Sequence, residues 1–212
     1  MNLARPIHAA EVKEAVFLLG AFKAPGPDGL QPLFYHRFWH IVGHAVTTVV
    51  QRAFSEGQLP EGVNETLINL IPKVDHPDSI TQFRPISLCN VIVRIISKVL
   101  VGRIRPLLHK LVSPNQSSFI PGRQTSDNII IVQELLHTMI KMKSRKGGLA
   151  VKIDLEKAYD RVDWGFLQQV LVKMGFPTNW VIMNGVTSSR LSLHQPYLLL
   201  YPYLFPHLLG NP

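Results

Sequence analysis

Apolar residues recur at helical spacing along most of the chain. In HAAEVKEAVFLLG, Val12, Val16 and Leu19 share one side of a helix, and Gly20 stands where it would stop. In LFYHRFWHIVGHAVTTVVQRAF the same period runs through Phe34, Phe38, Ile41, Ala45, Val49 and Ala53, which predicts one longer helix ending near Gly57 and Pro60. Asn90 could cap VIVRIISKVLVGRIRPLLHKLV, with Pro106 kinking or dividing it, and Asp127 could cap NIIIVQELLHTMIKMK, which runs into Gly147 and Gly148. Both read as core helices with one basic face. Alternation of period two predicts strands in TLINLIP, around residue 68, and in LAVKID, where Val151 and Ile153 point one way and Lys152 and Asp154 the other. The expected class is therefore α+β and helix-rich.

Composition narrows the setting. The 212 residues are 46% hydrophobic, enough for one large folded domain or two small ones. Lys and Arg number 22 against 14 acids, a net charge of +8, which favours a polyanionic partner such as nucleic acid. The single cysteine, Cys89, leaves no partner for an internal disulfide and suits a reducing compartment. No apolar run approaches the ~18 residues of a membrane span, and no secretory leader pattern opens the chain, so an intracellular location without membrane contact is expected.

The charges are unevenly spread. VKIDLEKAYDRVDW, residues 151–164, holds four acids and three bases, and no Asp or Glu follows it. An exposed helix gains little from Glu156 and Asp160, or from Lys157 and Arg161, since each pair sets like charges four apart. A calcium loop fails, because the positions that need oxygen ligands and glycine after Asp154 hold Ala158 and Tyr159. What remains is a carboxylate ending a buried strand before a turn that carries an aromatic, the way a magnesium-dependent phosphoryl-transfer site presents a ligand. Asp154 is the candidate. His36, His40 and His44 follow helical spacing but have no carboxylate or thiol beside them to complete a zinc site, and KAPGPDGL lacks the pattern of a phosphate-binding loop, so a stiff turn is its better reading. Lys141, Lys143, Arg145 and Lys146 suit a nucleic-acid backbone or a solvated helix end equally.

KIDLEKAYDRVDW resembles the first catalytic motif of the reverse transcriptases of LINE-type, non-LTR retrotransposons, in the wording commonest among plant elements. KAPGPDGL (23–30), LINLIPK (67–73), FRPISLCN (83–90) and NQSSFIPGRQTSDNI (115–129) match further family segments in the family's order. The resemblance implies a partial right-handed polymerase fold: helical fingers over 1–148, the first half of a palm sheet over 149–190, and a degenerate, poorly ordered tail over 191–212. It implies Mg²⁺ held by Asp154 with the carbonyl of Leu155, dNTP contacts from Lys73, Arg84 and Tyr159, and a template path lined by Gln116 and Arg123. It implies an RNA template, a DNA primer and dNTPs as partners, in the nucleus and cytoplasm.

The family's partner carboxylates come from a later aromatic-Ala-Asp-Asp hairpin, and this chain has no adjacent Asp pair. Two-metal chemistry needs carboxylates from separate strands, so the expected molecule is a fragment of an RNA-directed DNA polymerase that is inactive alone. The alternatives are a non-catalytic basic nucleic-acid-binding fragment and a decayed retroelement product.

Overall fold

The computed structural model describes residues 3–117, 120–142, 148–153 and 163–189, the last helix's side chains only as far as 183. These fall into two units, one made of the residues up to Ile104 with the helices after residue 163, the other beginning at Arg105.

The first unit opens with α1 (Ala9–Phe17), α2 (Pro32–Arg37) and α3 (Trp39–Glu56). The single helix expected over 33–54 is thus two, broken at Phe38, whose φ of −107° and ψ of 20° leave the helical range. The aromatic run at the break finds partners that a straight helix would forgo. His36 Nε2 lies 2.8 Å from the carbonyl of Val16, its ring stacks on Phe17 at 4.9 Å, and Trp39 meets Phe17 edge-on. The break also divides the histidine stripe, leaving His36 in α2 and His40 and His44 in α3.

An antiparallel ribbon follows, β1 (Thr66–Pro72) with β2 (Phe83–Cys89), the one sheet among the described residues. β1 is the strand expected from alternation, whereas β2 was not read as a strand. Pro85 within it explains the omission, and together with Pro72 at the end of β1 it fits the register. Lys73 N–H donates to the carbonyl of Gln82 at 2.7 Å, so alternation places Pro72 opposite Phe83 and Pro85 opposite Leu70 in non-hydrogen-bonded pairs. There the missing N–H points outward and costs the ladder nothing.

β2 leads into α4 (Val91–Ile104), the centre of the unit's core, with Val93, Ile95, Ile96, Leu100 and Ile104 at most 1% exposed. It packs on α1 and α3, and α7 (Trp164–Lys173) and α8 (Thr178–Ser189) close the same core through Leu171, Trp180 and Met183. Neither α7 nor α8 was foreseen. Asp163 caps α7, accepting the N–H of Phe166 at 2.8 Å, so one acid of the dense 151–164 stretch starts a helix.

Arg103, on α4, is the unit's one buried cation among the described residues. Its guanidinium holds both oxygens of Glu11 at 2.8 and 2.9 Å and donates to the carbonyls of Leu3, Arg5 and Pro6, tying the N-terminal segment to the core. Burial raises the Glu11 carboxyl, but the hydrogen bonds and charge of Arg103, helped by Arg5, outweigh it and hold the group below the usual carboxylate range.

In the second unit Pro106 divides the expected long helix as foreseen. A 3₁₀ turn at Arg105–Leu107 precedes the short α5 (Leu108–Leu111), and α6 spans Thr125–Lys141. α6 starts two residues before Asp127 and buries none of its residues, so it is no core helix as described. Residues 148–153 run without regular structure, and Leu149, Val151 and Ile153 are largely exposed. The strand expected there is absent from its described part, for no neighbouring strand pairs with it. The tail from 190 and most of the basic cluster, 143–147, lie outside the described residues.

Candidate functional site

The ribbon presents two of the expected site residues together. Arg84 stands opposite Ile71, and Lys73 continues the same register opposite Gln82. Side chains of partnered residues share a face, as do those two apart along a strand, so Lys73, Gln82, Ile71 and Arg84 lie on one face at the far end of the ribbon. Lys73 and Arg84 are diagonal neighbours there, with Cα atoms about 7–8 Å apart. Both are exposed, and among the described residues neither enters an ion pair. The Lys73 ammonium donates to the carbonyl of Thr81 at 2.9 Å, which fixes it at the tip while leaving donors toward solvent. Two cations at that spacing, neither in an ion pair, suit a ligand with several adjacent anionic groups, such as a polyphosphate.

The ribbon is anchored at its other end. Asn90, directly after β2, is 6% exposed and stands just before α4, its carbonyl accepting the N–H of Arg94 at 3.4 Å. Its Oδ1 accepts the N–H of Asp28 at 3.1 Å, and its Nδ2 donates to the carbonyls of Gly62 and Val63 at 3.3 and 3.1 Å. The KAPGPDGL loop therefore meets the end of FRPISLCN in space. Asp28 also accepts the N–H of Leu30 at 3.0 Å, and Gly29 turns the chain at a φ of +70° that other residues rarely adopt. Tyr35 is buried in the same unit, and burial, then the charge of Asp28, pushes its hydroxyl up to about 12. The hub joins residues some sixty positions apart, which no local pattern shows; an Asp-Gly turn and an Asn before a helix are its sequence signals.

Gln116 and Arg123 are also brought together, in the second unit. Arg123 donates to the carbonyls of Ser113 at 2.6 Å and Gln116 at 2.5 Å, with a longer contact to Val112, while Gln116 is buried. The arginine braces the loop before α6. Asp154, Leu155 and Tyr159 lie outside the described residues. Among those described, no group of three His, Cys, Asp or Glu side chains could hold a metal ion.

Residues 71–196 match the family model described as reverse transcriptase (RNA-dependent DNA polymerase), more than half of the chain. The chain belongs to the reverse transcriptase family. It is 33% identical over 85% of its length to the transposon TX1 uncharacterized 149 kDa protein of Xenopus laevis, covering 14% of that protein. It is 29% identical over 88% of its length to the Pol polyprotein of the type-1 retrotransposable element R2 of Nasonia vitripennis, covering 18%, and 25% identical over 81% to that of R2DM from Drosophila melanogaster, covering 16%. With such relatives this is a reverse transcriptase segment of a LINE-type, non-LTR element, spanning less than a fifth of each of those proteins. The match takes in Lys73, Arg84, Asn90, Gln116 and Arg123 and leaves α1 to α3 outside it. Reverse transcriptases as a family use divalent metal ions. The described residues supply no donor set for one.

Proposed function

We propose that the Lys73–Arg84 end of the ribbon grips the triphosphate of an incoming dNTP in RNA-templated DNA synthesis. The carrying observation is that these two cations share one exposed face and neither forms an ion pair among the described residues. A triphosphate brings about four negative charges, of which a bound magnesium ion offsets two, so side-chain cations must hold the remainder. Lys73 serves as a point charge, and Arg84 can fork across two phosphate oxygens.

The other roles complete the reading. Asp154, with the carbonyl of Leu155, would hold the metal that neutralises the triphosphate and activates the primer hydroxyl, and Tyr159 would lie beneath the incoming sugar. Arg123, by ordering the loop that contains Gln116, would shape the template path, where phosphate contacts position a strand without reading its sequence. RNA template, DNA primer and dNTPs are thus the proposed partners. As the 212-residue polypeptide, with no carboxylate after Asp163, the chain is expected to extend no primer.

Titration of the purified chain with dTTP tests the grip. Lys73→Met and Arg84→Met should each weaken binding about tenfold or more, near 1.5 kcal/mol for one charge-assisted contact. Equal affinity in the parent and in the double variant would remove the proposal.

A further inference from the structure

We infer that Asn90 is a positioning residue: together with Gly26 it sets the direction in which the ribbon carries Lys73 and Arg84. Its effect on nucleotide binding rests on the triphosphate reading above, whereas its effect on the ribbon does not.

The outer strand of the ribbon has little support of its own. Two strands alone are marginal in water, and every residue of β1 after Thr66 is exposed. β2 is half-buried, with Arg84 its one exposed residue, and its most buried positions, Ser87 and Cys89, lie toward the root, where Cys89 packs with Val93 and Val63. There one carboxamide joins three segments. It takes the N–H of Asp28 from the 23–30 loop and gives both its hydrogens to the carbonyls of Gly62 and Val63, in the turn that enters β1, while its own backbone ends β2. Asparagine suits this place because it offers one acceptor and two donors in a plane; an aspartate would set a carboxylate oxygen against two carbonyls. Both strands are thus held at their origin by one side chain.

Gly26 is the matching half. A Cβ at residue 26 would lie 2.5 Å from the Asn90 nitrogen and from its Oδ1, and 2.6 Å from the carbonyl carbon of Cys89. Most of these atoms are backbone and cannot yield cheaply, so the loop reaches the root only with glycine there. Arg94, one turn into α4, adds a third tie by donating to the carbonyl of Ala24 at 2.8 Å.

Geometry turns this clasp into a positioning device. Seven residues of strand put Lys73 and Arg84 about 20 Å from Asn90. A tilt of about 10° at the root then moves the tip by about 3.5 Å, and a misplacement of about 1 Å already costs a positioned contact dearly. The helical core, organised around α4, α7 and α8, does not depend on that angle.

The test places spin labels on Thr48→Cys in α3 and Asp75→Cys beyond β1, both exposed, in a Cys89→Ala background, and measures their distance distribution. The same proteins are titrated with dTTP and magnesium, with circular dichroism as the readout of the helices. Asn90→Ala, Asn90→Asp and Gly26→Ala should broaden or shift the distribution and weaken dTTP binding about tenfold, with helix content retained. Folded variants with an unchanged distribution would overturn the inference. If Asn90→Ala and Gly26→Ala lose helix, Arg94→Met decides. A smaller broadening there supports positioning, and an unchanged distribution makes Asn90 a folding residue instead. A parent that binds no dTTP would defeat the triphosphate reading, while the distances would still judge the clasp.

Discussion

Helices α4 and α6 look alike as sequence and differ as structure. α4 has 14 residues, ten of them buried; α6 has 17 residues and buries none, with Ile129, Ile130, Ile131, Val132, Leu135 and Ile140 all more than half exposed. Periodicity specifies that a helix forms and which positions are apolar, but burial depends on what chain is available to cover them. α4 gathers α1, α3 and α8 around itself, and among the described residues α6 gathers no such set.

The largest effect should come from the buried end of α4. Arg103→Met removes the partner of Glu11 and the donors to three carbonyls, so unfolding should become easier by about 3–5 kcal/mol in urea titrations. Acidity should reveal the same contact. The Glu11 carboxyl is held below its ordinary 4.5 in the folded state, so its stabilising contribution is complete above that value and is lost as pH falls through the folded-state value. The parent should therefore lose stability below about pH 4.5 more steeply than Arg103→Met.

Matched truncations sharpen the contrast between the helices. Leu100→Ala in α4, at 1% exposure, should cost about 2–5 kcal/mol. Leu135→Ala in α6, at 53% exposure, should stay within about 0.5 kcal/mol. Comparable losses at both sites would mean that α6 is covered in solution. A smaller effect belongs to the cap of α7: Asp163→Ala should cost about 1 kcal/mol, and Asp163→Asn, which keeps an acceptor, should recover most of it.

Much of this fold was legible from its local signals. α1, β1 and the division at Pro106 follow from spacing and proline chemistry, which act within a few residues. The break at Phe38 was not legible, because it depends on His36 and Trp39 meeting Phe17 some twenty residues away. β2 was hidden by Pro85, harmless only once the register is known. α7 and α8 were not legible because the dense charge of residues 151–164 reads as a site, whereas its last acid, Asp163, caps a helix. At the candidate site, Lys73 and Arg84 were identified by family resemblance and would have passed as solvated charges without it. Their shared face follows only from pairing, and Asn90 emerged only when two separate motifs met through its amide.

The proposed grip at the exposed end of the ribbon recognises phosphates rather than base or sugar. Calorimetric titration of the chain with thymidine, dTMP, dTDP and dTTP at one fixed salt and magnesium concentration tests it most directly. Affinity should rise with each added phosphate, fall as salt increases, and lose that gradient in the Lys73→Met, Arg84→Met double variant. Equal binding of thymidine and dTTP, or a phosphate gradient that survives loss of both cations, would contradict it.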